Sequence, residues 1–170
     1  MSYAERNRFV DDLGACIAQL RKIPNKTPYL FADTLGGSMV DHRIPTGRGA
    51  PCNSEADFYN LLTSNQHCTA AEFFGDKFQT LRQDHQSYFT HSDLHDANIL
   101  VESGRLSGII DWECAGYKPE YWEFTKTMWF TYDAPPWDPL FRRALGGDQY
   151  EEELEIERFL WRYTPFPWTG

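Results

Sequence analysis

The sequence predicts an α+β domain, mainly α, with one small β-hairpin in its second half. Three observations carry this. Hydroxyl residues are followed three positions on by an acid at Ser2 with Glu5, Ser54 with Asp57 and Thr69 with Glu72. That is the signature of a capping box at a helix start. Apolar residues then recur at helical spacing. The stretch NILVESGRLSGIIDWE (98–113) reads as two short strands around a turn at Ser103 and Gly104.

Taken in order, the first helix lays Phe9, Leu13, Ile17 and Leu20 along one face, and Pro24 stops it. Residues 24–53 are rich in Pro, Gly and turn formers. They predict a long structured loop with short strand pieces, and a loop of that length is functional or tied down by packing. The second helix runs through Phe58, Leu61 and Leu62, and the third through Phe74, Phe78 and Leu81. The hairpin strands fall at 99–101 and 106–110. From Pro119 the chain reads helical again, PEYWEFTKTMWF, with a proline in the first turn. A further helix, DPLFRRAL, stops at Gly146 and Gly147, and the last, EEELEIERFLWRY, is capped by Asp148 and runs until Pro165. No repeat and no linker divides residues 1–170, so one domain is expected.

The composition is globular, with 41% hydrophobic and 24% charged residues. Aromatic residues at 16% build either a Phe/Tyr/Trp core or an aromatic-walled pocket. A net charge of −9 repels a nucleic-acid backbone, and no basic stripe offsets it. The same charge repels ATP unless a metal or local cations intervene. Cys16, Cys52, Cys68 and Cys114 form no C-x-x-C pair and no zinc spacing, so free thiols in a reducing cytoplasm are expected. The start MSYAERNRFVDDL has no apolar core of a secretory signal, and no run approaches membrane length.

The chemistry concentrates in HSDLHDANIL (91–100). Asp93 and Asn98 bracket a tight loop before a strand, and the hairpin returns Asp111 towards that loop. Two carboxylates and an amide oxygen make a hard-oxygen site suited to Mg²⁺. A carboxylate beside them can accept a proton from an attacking hydroxyl. This is the division of labour of kinase-type phosphoryl transfer. Capping and turn roles alone explain any one such residue, but not the ordered set H-x-D-x-x-x-x-N, strand, turn, strand, I-I-D-W-E.

HSDLHDANIL followed by GIIDWECAG resembles the catalytic and metal-binding segments of aminoglycoside phosphotransferases and their choline-kinase-like relatives. DLHDANIL and IIDWECAGYKPEYWEF are similar to fungal members of that family, and the resemblance extends from the first helix to PFPW. It implies the C-terminal lobe of a protein-kinase-like fold. By motif position it makes Asp93 the catalytic base, Asn98 a metal ligand and Asp111 the principal metal ligand. His91 would brace the loop, His95 would line the site, and Glu113 would stand just outside it. Glu123 stands where much of the family has a structural Asp.

The family's smaller lobe supplies a phosphate-covering loop, a strand lysine for the phosphates and its acidic partner. Upstream of the catalytic loop this sequence has no V-A-I-K-like lysine and no G-x-G-x-x-G; Lys22, Lys26 and Lys77 read as surface charges. The N-terminal lobe is therefore expected to be absent. Three readings follow. The first is a small-molecule enzyme that uses Asp93, His91, His95 and Asp111 for nucleotide-independent acid–base chemistry such as cyclisation, isomerisation or elimination. It needs no cofactor, and its pocket would be walled by Trp112, Glu113, Tyr117 and Trp129. The second is a phosphotransferase using ATP and Mg²⁺, with its small lobe supplied elsewhere. The third is a non-catalytic binding protein. The former lobe interface would leave apolar surface over which a homodimer could form.

Overall fold

Ser2 opens the chain's first helix, α1 (Tyr3–Leu20), by accepting the Glu5 amide while Glu5 accepts the Ser2 amide at 2.6 Å. The computed structural model describes residues 1–131 and 135–163. The expected stop at Pro165 and the tail PFPW lie outside the described residues. Phe9, Val10, Leu13 and Ile17 form the buried stripe of α1, at the i, i+4 spacing of an amphipathic helix.

The long loop contains the strand pieces β1 (Ala32–Asp33), β2 (Met39–Val40) and β3 (Arg48–Gly49), the last two paired antiparallel. Ser54 caps α2 (Glu55–Leu62), and the Thr69–Glu72 capping box opens α3 (Ala70–Phe74). The expected third helix is two. Gly75 adopts φ 59°, ψ −135° and separates α3 from α4 (Asp76–Thr80). Only glycine takes that conformation without strain.

A three-stranded antiparallel sheet was not anticipated. It is ordered β1, β7 (Gly116–Pro119), β4 (Ser87–Thr90). Pro119 is thus the last residue of a strand, not the first of a helix, and its missing N–H falls where the ladder ends. Gly116 is required here. A Cβ on it would sit 2.6 Å from the Ala32 carbonyl oxygen of the neighbouring strand. The hairpin β5 (Ile99–Glu102) and β6 (Arg105–Ile109) pairs as expected. Ser103 and Gly104 both have positive φ, 50° and 71°, as a tight two-residue turn demands. Asp12 accepts two bonds from Arg105 and one from the Leu106 amide, which pins the hairpin to α1.

Helices α5 (Trp122–Thr131), α6 (Asp138–Leu145) and α7 (Glu151–Trp161) complete the described chain. α7 starts at Glu151; Asp148 lies in the short turn before it and supplies no side-chain cap. The aromatic residues build much of the core. Phe58 meets Trp122 edge-on at 4.8 Å, and Tyr59 packs against Phe74, Phe78 and Tyr121. Among the described residues no helix is long and apolar enough to cross a membrane.

Candidate active site

The loop between β4 and β5 is built to hold one carboxylate. Ser92 sits at φ 66°, a left-handed conformation that a non-glycine residue adopts only when its surroundings fix it. Glu123, at the start of α5, does this. Its two carboxylate oxygens accept the amides of His91 at 2.6 Å and Ser92 at 3.0 Å, and the Ser92 hydroxyl bonds Thr90. Glu123 thus fixes the backbone of this loop through both carboxylate oxygens.

His91 clamps the loop to the hairpin. Its Nδ1 accepts the Asp93 amide, and its Nε2 donates to the Ile110 carbonyl at 2.9 Å. The Ile110 amide in turn donates to the Asn98 carbonyl. Asp111, next in the chain, has φ 63° and is exposed at the end of the hairpin. Trp112 meets His91 edge-on at 4.7 Å, and its indole N–H donates to the Ile109 carbonyl.

Asp93 is the centre of the arrangement. Its Oδ2 accepts Asn98 Nδ2 at 3.1 Å and lies 3.7 Å from His95 Nε2. Its Oδ1 lies 3.3 Å from His42 Nδ1 and 3.9 Å from Lys126 Nζ, and among the described residues it accepts no well-aligned hydrogen bond. The Asp93 side chain is 7% exposed, whereas His42 and His95 are 21% and 22% exposed, so the imidazoles reach outward and the carboxylate does not. Burial pushes the Asp93 carboxyl up, but the two imidazoles and the Lys126 ammonium outweigh it and hold Asp93 well below the usual carboxylate range. The Asp93 carboxylate raises His42 to about 10, helped by Cys114 and opposed by burial and Lys126.

Beneath this pair lies a buried cluster of charges. Asp41 bonds Lys118 Nζ at 2.6 Å, Lys126 Nζ at 3.0 Å and the Trp122 indole N–H at 2.8 Å. Burial raises the Asp41 carboxyl, yet the two ammonium groups hold it low; burial and Lys126 lower Lys118. The loop β2–β3 thus delivers Asp41 to the core and His42 to the site. Sequence reading missed His42, Lys118 and Lys126. The signal was present. Asp41-His42-Arg43 is a charged triplet between apolar Met39-Val40 and Ile44, and Lys126 is the one cation in a helix rich in Trp and Phe, where a buried cation needs a buried anion.

Of the residues expected to wall the pocket, Glu113 lies 3.6 Å from His42 Nε2 and Trp112 borders His91. Tyr117 is buried in the sheet, and its hydroxyl donates to the Pro24 carbonyl. Trp129 packs on Trp161 at 4.8 Å and beneath Arg43, lining a different hollow of about 300 Å³ with Arg158 and Arg162. Lys22, Lys26 and Lys77 are exposed. Among the described residues, the lysine that approaches the Asp93 carboxylate is the helix-borne Lys126, at 3.9 Å.

Asn98 commits its Nδ2 to Asp93, which leaves the amide oxygen to act as a metal ligand, and Asp111 offers an exposed carboxylate. These hard oxygens fit Mg²⁺. When bound, Mg²⁺ would neutralise phosphate oxygens of a nucleotide.

Over a stretch of 73 residues, 40% of this chain, the sequence is 43% identical to the Clavilactone A biosynthesis cluster protein Y of Ampulloclitocybe clavipes; the match spans 17% of that protein's length. The model of the phosphotransferase enzyme family matches residues 1–160, and the chain belongs to that family.

Proposed function

We propose that this chain is a small-molecule enzyme of a biosynthetic pathway. Its fold is the C-terminal lobe of a kinase-like architecture, and its pocket performs nucleotide-independent proton transfer: isomerisation, cyclisation or elimination. The single observation that carries this reading is the His42–Asp93 pair. Asp93 is enclosed by His42, His95, Asn98 and Lys126, which leaves its carboxylate poorly placed and too acidic to take a proton from a substrate. His42 is the reverse case. Asp93 anchors its Nδ1 while Nε2 faces the partly exposed side, as the aspartate of a catalytic triad orients its histidine. The imidazolium donates its Nε2 proton to the substrate, and the neutral ring then takes a proton from a neighbouring position. Asp93 stays ionised throughout and stabilises the charged ring. The presence of a biosynthesis-cluster protein among its relatives supports a substrate from that kind of metabolism.

The family match favours one other reading, an ATP- and Mg²⁺-dependent phosphotransferase in which Asp93 receives the proton of a substrate hydroxyl. One experiment separates the two. The gene is deleted in its host, metabolites are profiled, and the strain is complemented with His42→Asn, Asp93→Asn or Asp111→Asn, with the melting temperature of each protein measured with and without ATP and Mg²⁺. The proton-transfer reading predicts that His42→Asn and Asp93→Asn fail to restore the product, that Asp111→Asn restores it, and that the nucleotide leaves the melting temperature unchanged. Failure of Asp111→Asn, with a rise in melting temperature on adding ATP and Mg²⁺, establishes the phosphotransferase instead.

A further inference from the structure

Three groups outside the Asn98 and Asp111 oxygen set converge on the outer side of His42. His42 Nε2 lies 4.0 Å from Cys114 Sγ and 3.6 Å from Glu113 Oε1. One ligand atom from each of His42, Glu113 and Cys114 falls within 4.8 Å of the others. The geometry points to a binding site for a thiophilic divalent transition metal, Zn²⁺ being the fitting ion, held by His42 Nε2, Cys114 Sγ and a Glu113 carboxylate oxygen. Nitrogen, thiolate and carboxylate are the donors zinc takes, and three protein ligands leave a fourth position for water or substrate.

An independent feature supports the assignment. Ligand histidines characteristically give their other ring N–H to a carboxylate, which fixes the tautomer and aims the coordinating nitrogen. His42 is placed for this arrangement: Nδ1 faces Asp93 Oδ1 in an ion-pair contact at 3.3 Å. Residue burial is graded as such a site requires, with Cys114 enclosed, His42 half-buried and Glu113 exposed, so an ion reaches the cluster from the Glu113 side. Sequence spacing could not reveal it, because His42 is 72 residues from Cys114. Binding displaces the Nε2 proton of His42 and the thiol proton of Cys114 to solvent. The zinc-bound and proton-donating forms of His42 are therefore alternatives. The site stands whether or not the proton-transfer reading does.

The test uses metal-free full chain. Zn²⁺ is titrated against a chromophoric chelator, and Co²⁺ is titrated as a spectroscopic probe. The site predicts one saturable equivalent of Zn²⁺ and tetrahedral Co²⁺ bands with a thiolate-to-cobalt charge-transfer band. Cys114→Ser abolishes the charge-transfer band. Glu113→Gln, an exposed change that spares the fold, weakens Zn²⁺ at least tenfold, and Asp93→Asn weakens it about 10–100-fold through His42. Absence of saturable Zn²⁺ binding at micromolar metal overturns the proposal. So does binding that survives Glu113→Gln and Cys114→Ser unchanged, or that is lost only in Asp111→Asn, which would place the ion on the oxygen set.

Discussion

Asp41 is the residue whose loss the structure penalises most clearly. It is fully buried and is the shared anion of Lys118 and Lys126, while also accepting the Trp122 indole and the Arg43 amide. Asp41→Ala leaves two ammonium groups in the core. Among the described residues Lys118 keeps the Val40 and Cys114 carbonyls, and Lys126 keeps Asp93 at 3.9 Å. Removing one partner of a buried ion pair costs about 3–5 kcal/mol, because the surviving charge stays desolvated. For a chain of this size that corresponds to a fall in melting temperature of about 6–20 °C. Urea unfolding of wild type and Asp41→Ala measures it, and a double-mutant cycle with Lys118→Met isolates the pair. The double variant should recover part of the loss, since it removes one stranded charge. A loss below about 1 kcal/mol, the scale of an exposed pair, would refute the claim that Asp41 organises this core.

Other outcomes follow from the same contacts. His85 lies between Glu55 at 2.8 Å and Glu153 at 3.0 Å; burial lowers its pKa, but the two carboxylates outweigh this and raise it to about 9, from an ordinary 6.5. A folded pKa above the unfolded one contributes stability that is full below about 6.5 and lost as pH rises through about 9. Chemical unfolding at stepped pH should show that loss, on the order of 3 kcal/mol, and His85→Gln should flatten it. Glu123→Ala strips the acceptors from the His91 and Ser92 amides. It should cost about 1–3 kcal/mol for each stranded donor, read by thermal melting, and hydrogen exchange should report faster opening of residues 91–93. Gly116→Ala drives a methyl into the Ala32 carbonyl and should destabilise the protein by about 1–3 kcal/mol in the same melts; a neutral result would mean that β1 and β7 are not packed as described.

The helices with side-chain caps were legible because their signals are local. Ser2, Ser54 and Thr69 open helices where expected, and the Ser103-Gly104 turn has the positive φ values its sequence calls for. The sheet was not legible. β1 and β7 meet across 85 residues from Ala32 to Tyr117, and strands of two to four residues carry too little alternation to read. Pro119 looked like a helix start because a strand that ends at a proline leaves the same local pattern. The site divides in the same way. Asp93, Asn98, His91 and His95 lie in one short segment, and the structure keeps them together. His42 and Lys126 reach Asp93 from β2–β3 and α5, and only tertiary packing joins them. Tyr117 and Trp129, read as pocket walls from their aromatic character, serve the sheet and a separate hollow instead.

The protonation state of His42 tests the central claim most directly. Nuclear magnetic resonance titration of the metal-free protein, with the His42 ring assigned by its loss in His42→Asn, follows that state through pH. The pairing with Asp93 predicts an imidazolium that persists across neutral pH and deprotonates near 10, with a marked fall in Asp93→Asn. A wild-type midpoint near the ordinary 6.5, unmoved by Asp93→Asn, would contradict the account.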